Sequence, residues 1–283
     1  MSGTYSHQST EKIILRKPAQ PFVKWVGGKR SLLEEIRSRL PENFNNYFEP
    51  FAGGGALFFS LEEGLKTATL ADSNIELIMT YRAIQMDPQL LIASLKRRTA
   101  KHSEKYYYNT RKKEEVSPIE IASRFLYLNK TCYNGLYRVN KSGGFNTPMG
   151  NYANPNIIQE ENILLCHQAL KKAAILYGDF EQIIPERGDF VYFDPPYHPT
   201  NELSFTEYTK ENFTEKDQVR LRDFITSLHK KGVFIMLSNS KTKLIEDLYR
   251  ARYFKQNIIH APRFVNCKPT GRSDVKELLI TNY

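Results

Sequence analysis

Phe190-Val191-Tyr192-Phe193-Asp194-Pro195-Pro196-Tyr197 is the stretch on which the fold of this chain turns. An apolar, aromatic run that stops at Asp-Pro-Pro predicts a buried strand ending in a rigid turn. Each proline fixes φ and removes a backbone N–H, so the ladder cannot continue beyond Phe193. In an open parallel sheet, ligands sit just past the carboxyl ends of the strands, where this turn projects. The turn offers a cleft the Asp194 carboxylate, the carbonyls of Pro195 and Pro196, and the aromatic face of Tyr197. An exocyclic amine on a planar base needs such a set: two acceptors for its N–H groups and a ring to stack on. Taken alone, the motif equally suits a strand-ending turn with a solvated Asp and a packed Tyr.

The flanking segments extend the pattern in both directions. Upstream, Tyr47 to Ala56 predicts a strand, a glycine turn at Gly53-Gly54-Gly55, and a helix running through Leu57, Phe58 and Leu61. Glycines let the backbone approach a ligand, and the helix start offers N–H donors. A second strand, Ala68 to Ala71, ends at Asp72, where dinucleotide folds place a ribose-binding acid. The full Gly-x-Gly-x-x-Gly fingerprint fails, because its third position is Phe58. That suits a nucleoside and argues against a pyrophosphate. Leu32 to Leu40 recur at helical spacing until Pro41, and residues before Pro21 read as a loose arm. Downstream, strands are expected at Ala174 to Gly178, ending at Asp179-Phe180, and at Val233 to Leu237, ending in Ser238-Asn239-Ser240. Helices are expected at Phe213 to Leu228 and Leu244 to Tyr249. Two late strands, Lys255 to His260 and Glu277 to Thr281, close the list. The fold class is α/β: a Rossmann-like, mostly parallel sheet with an antiparallel strand pair at its end.

Between Ile75 and Leu170 the alternation gives way to a mainly helical block. The expected organisation is an arm (1–20), a catalytic domain (21–74 and 171–283), and an inserted recognition domain (75–170). With 41% hydrophobic and 25% charged residues the composition is globular, but the net charge of +9 favours a polyanionic partner. The excess is clustered. Lys96 to Lys113 carries eight basic residues against Glu104 alone, and Ile121 to Gln159 has no acid at all. This second stretch contains Tyr133-Asn134-Gly135-Leu136-Tyr137-Arg138-Val139-Asn140. Its Asn and Arg residues suit base edges, or else merely serve the turns of a hairpin. Three dispersed cysteines with no metal-ligand spacing, and no signal peptide, predict a cytoplasmic protein without a metal.

These motifs together resemble the Dam-type DNA adenine-N6 methyltransferases in their alpha arrangement. The resemblance covers Pro21 to Tyr283. It rests on Lys-Trp-Val-Gly-Gly-Lys, Glu-Pro-Phe-Ala-Gly-Gly-Gly-Ala, Leu-Ala-Asp-Ser-Asn, Asn-Gly-Leu-Tyr-Arg-Val-Asn and Asp-Pro-Pro-Tyr, in that order. It implies methyl transfer from S-adenosylmethionine, without a metal, to N6 of a flipped adenine in duplex DNA within GATC. Trp25, Gly27, Gly28 and Lys29 then correspond to the segment closing over the cofactor, with Lys29 toward its carboxylate. Glu49, Phe51, Gly53 and Gly55 correspond to the methionine-end pocket, with Glu49 facing the ammonium. Asp72 matches the ribose acceptor, and Asp179 and Phe180 the residues meeting the cofactor's adenine.

Asp194, Pro195, Pro196 and Tyr197 match the catalytic motif, Asp194 also bordering the cofactor. Lys24, Tyr133, Asn134, Leu136, Arg138 and Asn140 match the DNA-reading positions, with Arg138 on guanine. The basic run Lys96 to Lys113 is expected to face phosphates. A restriction endonuclease sharing the site, or solitary modification, is compatible with this resemblance, as is a monomer or weak dimer. Competing readings are amine methylation of cytosine N4 or of RNA, a nicotinamide oxidoreductase, and a non-catalytic DNA-binding protein.

Overall fold

The computed structural model describes residues 17–140, 142–200, 213–261 and 275–283; most of the arm before Pro21 lies outside them. Its strands are β1 (Tyr47–Glu49), β2 (Ala68–Asp72), β3 (Ala173–Tyr177), β4 (Phe190–Phe193), β5 (Phe234–Ser240), β6 (Lys255–Ala261) and β7 (Val275–Thr281). They form one sheet in the order β3-β2-β1-β4-β5-β7-β6. The first five pair in parallel, and β7 runs antiparallel to both β5 and β6. The expected sheet is therefore observed, antiparallel end included. From β1 the strand order steps one way, and from β4 the other. Tyr47 lies opposite Phe190 and Phe48 opposite Val191, so the reversal falls between these two strands. A switch point of this kind opens a crevice beyond the carboxyl ends. Here it brings Glu49 and Asp194 to adjacent strand ends.

Alternation along β4 explains its uniformly apolar sequence. Phe190 and Tyr192 enter one buried cluster and Val191 and Phe193 the other, so neither face meets water. The first cluster includes residues of α2 (Ala56–Leu61), α3 (Ile75–Met86), α6 (Pro118–Thr131) and α7 (Glu160–Leu170). The second takes Leu221, Ile225 and Leu228 of α8 (Glu215–Lys231) and Ile245 of α9 (Lys243–Leu248). α8 begins two residues after Phe213 because Thr214 and Asp217 form a capping box.

α3 and α7 share the sheet's own core, and Gln85 of α3 bonds the carbonyls of Leu170 and Ala173. The core thus runs unbroken across the expected boundaries at 74 and 170. What stands off the sheet is α4 (Pro88–Thr99), α5 (Glu104–Lys112) and the irregular chain after α6. The helix expected at Leu32 to Leu40 shrinks to a 3₁₀ turn and α1 (Leu33–Arg37). Its end tightens to Arg39 N–H on Ile36 O and Leu40 N–H on Arg37 O as the chain approaches Pro41. The residue before proline disfavours the α region. Among the described residues no helix is long and apolar enough to cross a membrane.

Candidate active site and nucleic-acid interface

At the switch point three ionisable groups are buried together. Asp194 retains 19% side-chain exposure, but its Oδ1 is sealed from solvent. The Lys29 ammonium lies 2.8 Å from that oxygen and is its charged partner, with Tyr197 also bearing on the carboxylate. Lys29 also donates to Gly27 O at 2.7 Å and sits 4.7 Å from the centre of the Tyr197 ring. Its ammonium is therefore turned toward Asp194 and Tyr197, where the resemblance pointed it at a cofactor carboxylate. The cause is physical: a buried ammonium goes to the nearest carboxylate and ring face.

Glu49 is buried and accepts from Tyr47 Oη at 2.9 Å. Burial pushes its carboxyl up to about 8, the Tyr47 bond opposes this, and the nearby Asp194 charge adds to it. Asp194 is likewise raised by burial, with Lys29 pulling the other way. Two carboxyls held above their ordinary range beside one ammonium form a site short of positive charge.

The Asp194 turn is braced from neighbouring strands. Tyr197 Oη donates to Glu277 of β7 at 2.8 Å, and Gln218 of α8 donates to Pro196 O at 3.0 Å. Asn239 of β5 donates to Gln218 and accepts from His198 N–H. The Pro196 carbonyl is thus engaged, and Pro195 is buried behind it. Glu277, Gln218 and Asn239 were not singled out as site residues. Only Asn239 had a local sign, a polar triplet ending an apolar strand.

The glycine turn lies beside this cluster. Gly53 and Gly55 both have positive φ (+47° and +65°). A Cβ on Gly53 would lie 2.7 Å from Trp25 Cδ1, and one on Gly55 2.6 Å from Tyr81 Oη. Only glycine fits either position. Asp72 holds the turn, accepting from Gly53 N–H at 3.0 Å and from Asn74 N–H at 2.8 Å. Burial raises its carboxyl also. Gly28 closes a turn by donating to Trp25 O.

Next to Asp72 is a cleft of about 320 Å³ lined by Phe51, Ser73, Asp179, Phe180, Phe213 and Arg220 among others. Phe51 and Phe180 stack at 5.5 Å. Asp179 pairs with Arg220 at 2.8 Å and accepts from Glu181 N–H, so its oxygens already have partners. Of the expected cofactor residues, Phe51, Asp179 and Phe180 line this cleft, while Gly53 is tied to Asp72 and packed against Trp25, and Lys29 pairs with Asp194.

The acid-free stretch forms the expected hairpin. Val139 bridges Phe145, Asn140 N–H donates to Gly144 O, and Asn146 N–H donates to Arg138 O. Tyr133, Asn134 and Arg138 are exposed, and Leu136 is half-buried. Arg138 Nε donates to Asn146 Oδ1 at 2.8 Å. The Asn140 side chain folds back instead, accepting from Ser142 N–H and Gly144 N–H. It serves the turn, as the alternative reading of the stretch allows. Lys24 packs at the hairpin's base, its ammonium 4.6 Å from the Tyr152 ring centre and its backbone clamped by Asn129.

The basic run departs most from expectation. Arg98 is 5% exposed and bonds Glu115, Glu120 and Ser123. Arg124, from the acid-free stretch, is also buried and bonds Glu76 at 2.7 Å. Lys96 pairs with Glu160, Arg97 with Glu120, and Lys113 with Glu115. Tyr107 is buried with its hydroxyl on Thr147 O. Lys101, Lys105 and Lys112 remain on the surface.

A family model described as D12 class N6 adenine-specific DNA methyltransferase matches residues 25–266. Type II methyltransferase M1.LlaDCHI of Lactococcus lactis subsp. cremoris is 44% identical, covering 93% of this chain and 95% of that protein. Type II methyltransferase M.MjaIII of Methanocaldococcus jannaschii is 41% identical over 93% of this chain and 99% of its own. A DNA adenine methylase of Vibrio cholerae serotype O1 is 34% identical over 93% and 96%. This chain belongs to the D12 class of N6 adenine-specific DNA methyltransferases. It is an enzyme acting on adenine in DNA.

Proposed function

We propose that the protein methylates N6 of an adenine flipped out of duplex DNA, within GATC, using S-adenosylmethionine bound between the glycine turn and the Phe51–Phe180 cleft. The observation that carries this reading is the Asp194 carboxyl at the switch point, raised by burial and held, among the described residues, only by Lys29 and its own turn. A carboxylate on such a turn can take a hydrogen-bond donor from a bound ligand. The target's N6 amine is such a donor. The pocket also fits the cofactor's chemistry: carboxyls at Glu49 and Asp72 for cationic and hydroxyl groups, and an aromatic pair for a base.

S-adenosylmethionine, when bound, supplies an electrophilic methyl on a sulfonium. Asp194 and the Pro195 carbonyl accept from the amine and free its lone pair, while Tyr197 stacks on the ring. Glu277 holds Tyr197 and Gln218 holds the Pro196 carbonyl, so the turn that carries these acceptors is braced before the substrate arrives. Lys29 moves off Asp194 when the amine enters. An adenine within a duplex cannot reach this depth, and flipping costs a few kcal/mol of stacking and pairing. Tyr133 beside the vacated stack, Arg138 on guanine, and Asn134, Leu136 and Lys24 around them supply the compensating contacts.

On this reading residues 75–170 carry target recognition, and 21–74 with 171–283 carry catalysis. The two relatives named Type II methyltransferases support pairing with a restriction endonuclease on the same site. The test is to incubate the protein with unmethylated duplexes and methyl-labelled S-adenosylmethionine, digest to nucleosides, and identify the labelled base. N6-methyladenine appearing only in GATC-containing duplexes is expected. N6-methyladenine in another sequence would overturn the target, and N4-methylcytosine the base assignment.

A further inference from the structure

Trp25, the chain's only tryptophan, lies between the glycine turn and the reading hairpin. On the turn side it approaches so closely that added Cβ atoms on Gly53 and Gly54 would fall 2.7 and 3.5 Å from it. On the hairpin side its ring stacks on Tyr137, with centroids 5.7 Å apart and planes 26° apart. Phe125 of α6 packs on both rings, at 6.3 and 5.4 Å, and Phe145 of the hairpin's second strand packs on Tyr137 at 5.7 Å.

Tyr137 sits between Leu136 and Arg138, yet it is half-buried and its hydroxyl is committed. It donates to Glu76 Oε2 at 3.1 Å, and Glu76 Oε1 takes Arg124 at 2.7 Å. Glu76 stands on the first turn of α3, whose cap residue Asn74 donates its N–H to Asp72, and Asp72 accepts from Gly53 N–H. The contacts close a ring: hairpin, Tyr137, Glu76, the start of α3, Asp72, Gly53, Trp25 and back to Tyr137.

We infer that Tyr137 is a positioning residue that couples occupancy of the cofactor pocket to reading of the DNA sequence. The inference rests on the proposed function, which places the cofactor at the glycine turn and DNA on the hairpin. Tyr137 cannot itself read a base, because its ring packs on Trp25, Phe125 and Phe145 and its hydroxyl is held by Glu76. It can transmit position. Packed aromatic contacts shift between discrete arrangements rather than deforming smoothly. Whichever ligand binds first selects one arrangement of the Trp25–Tyr137 stack, and the second binds without that cost. Linkage makes the effect reciprocal, so each ligand tightens the other by the same factor.

The test is a thermodynamic cycle on the full chain. Calorimetry gives the Kd for S-adenosylhomocysteine, an unreactive occupant of the cofactor pocket, with and without a short GATC duplex, and Trp25 fluorescence gives a second readout. Wild-type protein is expected to bind it about fivefold or more tightly when the duplex is present. Tyr137→Leu brings that ratio close to one while the affinity for each ligand alone changes little. Tyr137→Phe keeps the stack, loses only the Glu76 bond, and gives an intermediate ratio; it also serves should the leucine variant fold poorly. If wild-type protein binds both ligands without coupling, or both variants keep the full ratio, the inference is overturned. If wild-type protein binds neither ligand, the proposed function falls first and the inference with it.

Discussion

The switch-point pocket and the basic insert both stand out by charge, but they hold it in opposite conditions. At the switch point, the Glu49 and Asp194 carboxyls are raised by burial, and Lys29 is the one ammonium among the described residues that pulls both the other way. In the insert, Arg98 and Arg124 are buried with every charge answered by Glu115, Glu120 or Glu76. A buried charge that is fully paired belongs to the architecture; one left short is available to a ligand. Counting charges along the sequence cannot separate these cases, because the deciding variable is the partner.

The sharpest way to break the comparison is Arg98→Ala. It strips Glu115 and Glu120 of their shared partner, leaving them Lys113 and Arg97, and the expected loss of stability is about 1–3 kcal/mol. Urea unfolding measures it, and a variant of wild-type stability but weaker DNA binding would return Arg98 to the phosphate-facing role. Gly53→Ala tests the pocket's other wall. Its Cβ would collide with Trp25, and strain at positive φ costs about 1–3 kcal/mol. Cofactor affinity should fall roughly tenfold or more, since each 1.4 kcal/mol is a factor of ten.

Arg138→Ala acts on the exposed side of the comparison. It should relax discrimination at one base pair by about 1–3 kcal/mol, read as the ratio of kcat/KM for GATC and single-substitution duplexes. Equal slowing on all sequences would make Arg138 a phosphate contact.

A last test is one of pH. The Glu49 carboxyl is at about 8 in the fold against an ordinary 4.5. Between those values the folded protein keeps a proton that the unfolded chain has released. Stability from this group therefore falls as pH rises from about 4.5 to about 8, then levels off. Glu49→Gln should remove that slope, so its Tm advantage over wild type grows across this window. A constant difference would mean Glu49 is ionised in the fold throughout.

Much of the pocket was legible because its signals are local. An apolar run stopped by Asp-Pro-Pro, glycines before a helix, and acids at strand ends each follow from a few consecutive residues. The same holds for the hairpin, where Asn140-Lys141-Ser142-Gly143-Gly144 reads as a turn and Asn140 suits either a base edge or that turn. What the sequence hid are pairings across long separations. Tyr197 meets Glu277 from β7, Arg98 meets Glu120 across a helix pair, and Lys29 meets Asp194 from the far side of the insert. No periodicity encodes such partners. They follow from the strand order, which places β1 beside β4 and β7 beside β5.

The central claim is that the Asp194 carboxylate receives the amine of the target base. Single-turnover methyl transfer by Asp194→Ala, measured alongside calorimetric binding of S-adenosylmethionine and a GATC duplex, tests it most directly. The account predicts that both ligands still bind while transfer slows by about 10²–10³ or more, the typical cost of removing a preorganised group at a reacting centre. Transfer at the wild-type rate with both ligands bound would contradict it.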